Sequence, residues 1–320
     1  MKADRPARER GGRGAAASRR DFLATLRGGF LLLSGCGDRR RAVTGSEVVA
    51  SEPLAFNVHP LGGGFQSLQQ DALRTIGPPW IRVTLGLVTE TDAARPYVRM
   101  GPNVLGLVAD FRLGPIDARE WPDLLEAALR RYPQIRRAEL LNEPEHFNKL
   151  SPARYVQEFL RPGYERIRDR FPGVAVVAAA PVGDRKKGPD QFRRLTEAGA
   201  DEFCDFRAVH VYDDDDRALR TIAGATGRPI LVTETGTNVP GHHVRWYADV
   251  VPRVRQALGA DEVFWYVLLE SPALAGGKVP YSYTGSSVIA AVPDAAGQPQ
   301  AAPGSALYPL LARHPAARRR

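Results

Sequence analysis

From residue 53 onward the chain alternates between short apolar runs and longer stretches where apolar residues recur every three or four positions. The runs at 54–58, 80–85, 104–109, 138–141, 174–179, 208–211, 230–233 and 263–268 read as eight β-strands. Several are continuously apolar, the pattern of parallel strands covered on both faces. Between them, Trp121, Leu124, Leu125, Ala128 and Leu129 share one helical face, as do Tyr155, Phe159, Tyr164, Ile167 and Phe171. The second of these helices opens on Ser151-Pro152, a capping hydroxyl before a first-turn proline. Tyr247, Val250, Val251, Val254 and Leu258 form a third stripe, with a kink expected at Pro252. The weakest stretch is 88–100, where Pro96 interrupts a poor helical pattern.

Strand–helix alternation predicts a parallel α/β fold. Eight repeats over about 265 residues fit a (β/α)8 TIM barrel, typically about 250 residues long. Residues 53–320 therefore read as a single (β/α)8 catalytic domain. The competing doubly wound sheet would carry a phosphate loop after its first strand. Leu61-Gly62-Gly63-Gly64 is Gly-rich there but lacks the G-x-G-x-x-G spacing, and reads as a flexible loop.

Composition narrows the classes. The chain has 320 residues, 43% hydrophobic and 25% charged, which is ordinary for a globular protein. Two Cys exclude a disulfide scaffold and a Cys-rich metal module. The net charge of +8 hints at nucleic acid until it is located. Residues 1–35 hold eight Lys/Arg against three Asp/Glu, and Arg39-Arg40-Arg41 and Arg318-Arg319-Arg320 sit at the ends of the remainder. No interior basic stripe is interleaved with aromatics, so no nucleic-acid partner is expected. No apolar run approaches the roughly 20 residues of a membrane-spanning helix.

The N-terminal segment carries its own pattern. Ser18-Arg19-Arg20-Asp21-Phe22-Leu23 resembles the twin-arginine export signal of bacteria. An apolar stretch follows, then Leu33-Ser34-Gly35-Cys36, which is similar to a lipobox. The resemblance implies a signal over 1–36, lipidation of Cys36, and a tether over 37–52. It further implies folding before export and a lipid anchor in the bacterial cell envelope, periplasmic or on the outer surface. With Cys36 lipidated, only Cys204 remains and no internal disulfide can form.

Barrel enzymes place their chemistry at the C-terminal ends of the strands. The run 138–141 continues into Asn142-Glu143-Pro144, and the run 230–233 into Glu234-Thr235-Gly236. Two carboxylates on two strand ends can face one cavity. Glycoside hydrolysis needs such a pair, one carboxyl to protonate the leaving oxygen and one ionised to attack the sugar. The order and placement resemble the clan A glycoside hydrolases, and within them the family 5 pattern. Those are retaining enzymes on (β/α)8 barrels, with Asn-Glu-Pro at strand four and a nucleophilic Glu at strand seven. The resemblance implies that Glu143 is the acid/base, that Glu234 is the nucleophile, and that Asn142 bonds the substrate 2-hydroxyl. It implies that Arg82 supports the nucleophile and that Trp265 stacks under the sugar. His210-Val211-Tyr212 is similar to the family's His-x-Tyr, whose Tyr hydroxyl touches the nucleophile. A His expected near the end of strand three is absent, and Asp110 and Phe111 stand there instead. The implied substrate is a β-linked glycan, and no metal or organic cofactor is implied.

Each residue also has a plainer reading. A strand-end Glu can be merely solvated, Arg82 can pair with a structural carboxylate, His210 can be a core histidine and Trp265 can fill the barrel. Asp213-Asp214-Asp215-Asp216 reads as a solvated loop or helix start rather than a calcium loop. Adjacent His242 and His243 face different ways on a helix and do not suit one metal ion. Cys204 reads as core. His146, Phe147, Asn148, Tyr281 and Tyr283 are candidates for lining a subsite, and short loops above the strands favour an open groove. Two rival functions stay open: a non-catalytic cell-surface barrel that holds glycan, and a metal-dependent hydrolase, for which no His-x-His strand motif is present. Protein partners are not indicated by any motif.

Overall fold

The structure, a computed structural model, describes residues 53–61, 63–87, 92–101, 103–109, 116–183, 186–270, 285–296, 298–302 and 304–314. The signal, Cys36, the tether, Asp110, Phe111, Tyr281 and Tyr283 lie outside the described residues.

Strands β1 (Ala55–Val58), β2 (Trp80–Leu85), β3 (Asn103–Val108), β4 (Arg137–Leu140), β5 (Ala175–Ala178), β6 (Phe206–Val211), β7 (Ile230–Thr235) and β8 (Val263–Trp265) close into a barrel in sequence order. All neighbouring pairs are parallel, and β1 joins both β2 and β8. This is the (β/α)8 barrel that the alternation of patterns predicts.

Period-two alternation fixes which residues fill the barrel. Ala55, Leu105, Val177, Ala208, Leu231 and Phe264 form one buried cluster inside it. Their neighbours Phe56, Val104, Val176, Val209, Val232 and Trp265 belong to the larger core between strands and helices. The inward positions come in layers drawn from alternate strands. The base layer holds Trp80, Arg137 and Phe206, with Arg137 stacked between the two rings at 4.2 and 4.5 Å and paired with Glu262 at 3.0 Å. Higher inward positions are polar: Asn57, Arg82, Glu139 and His210 are all buried. The barrel changes from a packed plug at its base to a charged network near its mouth.

The strict alternation breaks once where it matters. The β6–β7 register pairs Val209 with Val232 but His210 with Glu234, so β7 carries one extra residue at this point. A bulge of this kind re-aims the side chains beyond it. Leu231 faces the interior, so unbroken alternation would turn Glu234 outward. The bulge turns it inward instead, and Thr235 faces the helical shell, where its hydroxyl accepts from the Trp246 indole at 3.1 Å.

The helical stripes fold as read, with one difference at the prolines. The segments 152–170 and 243–258 each contain a π-turn, Val156–Leu160 and Trp246–Val250, lying one residue before Arg161-Pro162 and Val251-Pro252. A proline ring collides with the carbonyl four residues back and donates no hydrogen bond. The wider turn absorbs that conflict, so Pro252 follows a π-bulge rather than breaking the helix. The four-Asp run starts a helix: Asp215 caps Asp216–Ala223 by accepting from Arg217 and Ala218 N–H groups, and Asp214 pairs with Arg253. Cys204 is buried, and burial pushes its thiol up to about 12.

The sequence patterns give no hint of an antiparallel hairpin, β9 (Ala290–Pro293) with β10 (Pro299–Ala302), outside the barrel. Val288 and Ile289 lead into it by donating to the carbonyls of Val267 and Leu268, directly after β8. It packs on the helix Gly63–Ile76 so closely that a Cβ on Gly64 would meet the Pro299 ring at 2.7 Å. Among the described residues no helix is long and apolar enough to cross a membrane.

Candidate active site

Arg82 organises the upper barrel. Its Nε donates to Glu139 Oε2 at 2.6 Å, its Nη1 to Asn57 Oδ1 and Glu234 Oε1 at 2.8 Å each, and its Nη2 to Asn142 Oδ1 at 2.7 Å. Arg82 thus holds a buried carboxylate, Glu139, and the strand-seven Glu234 together. The Asn57 amide continues the network by donating to the Thr233 carbonyl at 2.8 Å, which ties β1 to the bulged segment of β7. Arg82 is thereby held protonated: burial opposes its charge, but the two carboxylates outweigh burial and raise its pKa.

Glu234 is gripped from both oxygens. Arg82 serves Oε1, and the Tyr212 hydroxyl donates to Oε2 at 2.6 Å. Burial pushes the Glu234 carboxyl up, but the His210 and Arg82 charges and the hydrogen bonds from Tyr212 and Arg82 prevail. The net result lies below the ordinary Glu value, so the group is ionised at neutral pH. Burial and the Glu234 charge raise Tyr212 well above the usual phenol range, keeping it a neutral donor.

Glu143 sits on a turn of unusual backbone. Leu141 and Glu143 both have positive φ, 69° and 41°. Such conformations cost energy in non-glycine residues and persist where neighbours over-determine them. Here the Leu141 N–H is held by the Val108 carbonyl and the Glu143 N–H by the Ala180 carbonyl, while the Glu143 carbonyl accepts from His146 and Phe147. Pro144 opens the short helix Pro144–Phe147, whose His146 and Phe147 N–H groups donate those bonds. The side chain meets His210, whose Nδ1 lies 2.8 Å from Glu143 Oε1. His210 Nε2 is 3.4 Å from Glu234 Oε1, an ion-pair distance without hydrogen-bond alignment. Burial pulls the His210 pKa down, but the two glutamates overcome it and the net shift is upward.

Glu143, His210 and Glu234 bring one ligand-type atom each within 4.8 Å of one another. His210 has no exposed side-chain surface, whereas Glu143 keeps 12% and Glu234 10%, so the two carboxylates are what a ligand reaches. The three atoms have the composition of a metal site. Their bonds to one another, to Tyr212 and to Arg82 already commit them, and a cation there would sit against the Arg82 guanidinium. The set fits an internal proton and charge network better than a metal ion.

Six of the seven site positions read from the sequence meet in this network: Arg82, Asn142, Glu143, His210, Tyr212 and Glu234. Among the described residues Asn142 commits only its Oδ1, leaving its Nδ2 hydrogens for a ligand. The seventh position needs correction. Trp265 is fully buried, its indole N–H donates to the Ser286 carbonyl at 2.9 Å, and its ring packs on His243. A ring with no exposed face cannot stack under a sugar. The cause is alternation: Phe264 faces the barrel interior, Trp265 the helical shell, and Tyr266 the mouth. Tyr266 is half-buried, with its ring 6.5 Å from that of Tyr212 and 5.5 Å from His59. The Tyr266–Val267 peptide bond is cis.

Asn57, His59, Glu139 and Tyr266 are site residues that strand-end reasoning misses. Asn57 and His59 continue the inward parity of Ala55 along β1, and Glu139 is the one charge in the run Ala138–Leu141, so alternation was the available signal. His146 and Phe147 lie beside Glu143 with their rings edge to face, 4.8 Å apart.

The whole chain can be set against known proteins on this geometry. The carboxylates at the ends of β4 and β7 stand at the face where (β/α)8 enzymes place their sites. A family 39 glycoside hydrolase from the gut symbiont Bacteroides cellulosilyticus shares the fold with a TM-score of 0.56 at 17% identity, over 74% of this chain and 59% of its own. A GH30 endoxylanase from Clostridium papyrosolvens does so with a TM-score of 0.51 at 11% identity, over 75% of this chain and 74% of its own. The chain spans less than two thirds of the length of the first. At these identities the likeness is one of fold. No protein-family model and no curated protein matches the chain.

Proposed function

We propose that the protein is a retaining glycoside hydrolase acting on a β-linked glycan. The observation that carries this reading is the carboxylate pair: oxygens of Glu143 and Glu234 come within 4.8 Å in one mouth. That separation suits the roughly 5–5.5 Å of retaining enzymes and is short of the 6.5–9.5 Å, approximately, that an inverting enzyme needs to seat a water. Glu234, kept ionised by Arg82 and Tyr212, attacks the anomeric carbon as the bond to the leaving oxygen breaks. Glu143 gives that oxygen its proton. Glu143 then takes a proton from water, the water oxygen attacks the same carbon, and Glu234 is released. His210, bonded to Glu143 and close to Glu234, orients the Glu143 carboxyl for both proton transfers. Asn142 offers its free amide hydrogens to a hydroxyl beside the reacting carbon.

The test is an aryl β-glycoside panel with the wild type and Glu234→Ala. The expected outcome is turnover by the wild type, release of the product with its β configuration as seen by NMR at early times, and a loss of about 10⁴-fold or more in the variant, as for other removed nucleophiles. A variant with wild-type rates, or an inverted first product, overturns the mechanism.

We further propose that the protein is exported in folded form and anchored through Cys36. The Arg19-Arg20 motif and the Leu33–Cys36 pattern support it. Labelling with a fatty-acid probe in a bacterial host tests it: the wild type should take up label and partition with membranes, and Cys36→Ala should do neither. Equal labelling of both overturns the anchor.

A further inference from the structure

The strand-one end carries a histidine that the mechanism above does not use. Ala55 faces the barrel interior and Asn57 bonds Arg82 from within it, so the same alternation aims His59 at the mouth, one layer above Asn57. Its ring stands edge-on to Tyr266 at 5.5 Å. Tyr266 in turn stands edge-on to Tyr212 at 6.5 Å, and Tyr212 to His210 at 6.5 Å. Four rings from β1, β8 and β6 thus form a continuous arc along one side of the mouth, and both glutamates are bonded to its far members. Among the described residues, neither imidazole nitrogen of His59 has a hydrogen-bond partner, and the residue is half-buried at the mouth.

The electrostatics match that placement. Burial pulls the His59 pKa down, the Glu234 charge opposes burial without overcoming it, and Arg82 adds to the lowering, leaving the group at about 4. The ring is therefore neutral, with one N–H donor and one bare acceptor nitrogen. A neutral imidazole does not compete with Arg82 for Glu234. It presents the donor-and-acceptor pair that a hydroxyl needs, beside an aromatic wall of the kind that covers the apolar face of a sugar ring.

We propose that His59 is a substrate-binding residue that bonds a hydroxyl of the sugar under attack, with Tyr266 as the wall beside it. This rests on the glycosidase reading and names a contact within that site. Each sugar hydroxyl both donates and accepts, so the unpartnered imidazole and the sugar satisfy each other, and a bound sugar lacking that hydroxyl covers the half-buried nitrogen without giving it a partner.

Kinetics with monodeoxy glycosides test this. The wild type, His59→Ala and His59→Gln are assayed on the best aryl β-glycoside and on its monodeoxy analogues, with thermal melts to establish folding. His59→Ala should lose about tenfold or more in kcat/KM on the parent. On one analogue the wild type should already have lost that factor, and His59→Ala should lose nothing further. His59→Gln should regain part of the activity on the parent only. A loss in His59→Ala that is equal on every analogue, or no loss on the parent, overturns the contact while leaving the glycosidase reading intact. A wild type that turns over none of the glycosides overturns that reading, and this contact with it.

Discussion

Two arginines lie inside the barrel, and they are built differently. Arg137, in the base layer, has carbon on both faces of its guanidinium, the Trp80 and Phe206 rings, and a single carboxylate, Glu262, at 3.0 Å. Arg82, higher in the barrel, is bound by oxygen: two carboxylates and two amide carbonyls take its four shortest bonds, all between 2.6 and 2.8 Å. Arg137 has all these contacts within the barrel floor, which it closes. Arg82 spends one side on Glu139, which has no exposed surface, and the other on Glu234, which a ligand can reach. A buried charge pair is weak evidence of stability by itself, because desolvation offsets the attraction. What sets the upper pair apart is that one of its partners faces an opening.

That contrast is broken most severely by replacing each arginine with methionine. Arg82→Met leaves Glu139 as a buried charge without its partner and Glu234 without one of its two cationic neighbours. The expected cost is about 3–5 kcal/mol of stability, read by urea unfolding, together with loss of measurable turnover. Arg137→Met keeps an apolar filling between the two rings and leaves Glu262 partly exposed to water. Its cost is expected to be about 1–2 kcal/mol, the size of a lost cation–π contact and a partly exposed ion pair, with kcat unchanged. Equal effects of the two substitutions on kcat would erase the distinction between floor and mouth.

The same two regions differ in how far they could be read from the chain. The strands were legible because parallel strands covered on both faces are apolar runs, and a charged residue placed directly after such a run stands out. That signal reaches Glu234 directly and Glu143 one residue further on, while Arg82 and His210 stand out as polar residues inside apolar runs. It does not say which way a side chain points. Phe264, Trp265 and Tyr266 are all aromatic, and only the interior position of Phe264 reveals that Trp265 belongs to the shell and Tyr266 to the mouth. Nothing in Leu231-Val232-Thr233-Glu234 announces that the alternation skips a residue, yet without the skip Glu234 would face the helices. Glu139 is a charge in an apolar strand, and its reason lies 57 positions away at Arg82. Orientation and long-range pairing are tertiary properties, and they decide the details of this site.

A smaller effect sharpens the picture at the mouth. Tyr212→Phe removes one hydroxyl from Glu234 Oε2 and leaves the ring in place. Burial raises the Glu234 carboxyl, and His210, Arg82 and the Tyr212 hydroxyl together bring it below its ordinary value. Without the hydroxyl, one of the lowering contributions is gone while burial remains, so the Glu234 pKa rises. In the proposed mechanism the attacking form is the ionised one, so activity is present above that pKa and is lost as pH falls through it. The acid limb of kcat/KM against pH should therefore move to higher pH in Tyr212→Phe. The plateau should fall about tenfold, as expected for the loss of one hydrogen bond to a charged group. The Arg82 contact survives in this variant, so the fold should melt close to the wild type. An acid limb that stays in place, or moves to lower pH, would mean that Arg82 and His210 alone keep Glu234 ionised and that the Tyr212 hydroxyl only orients it.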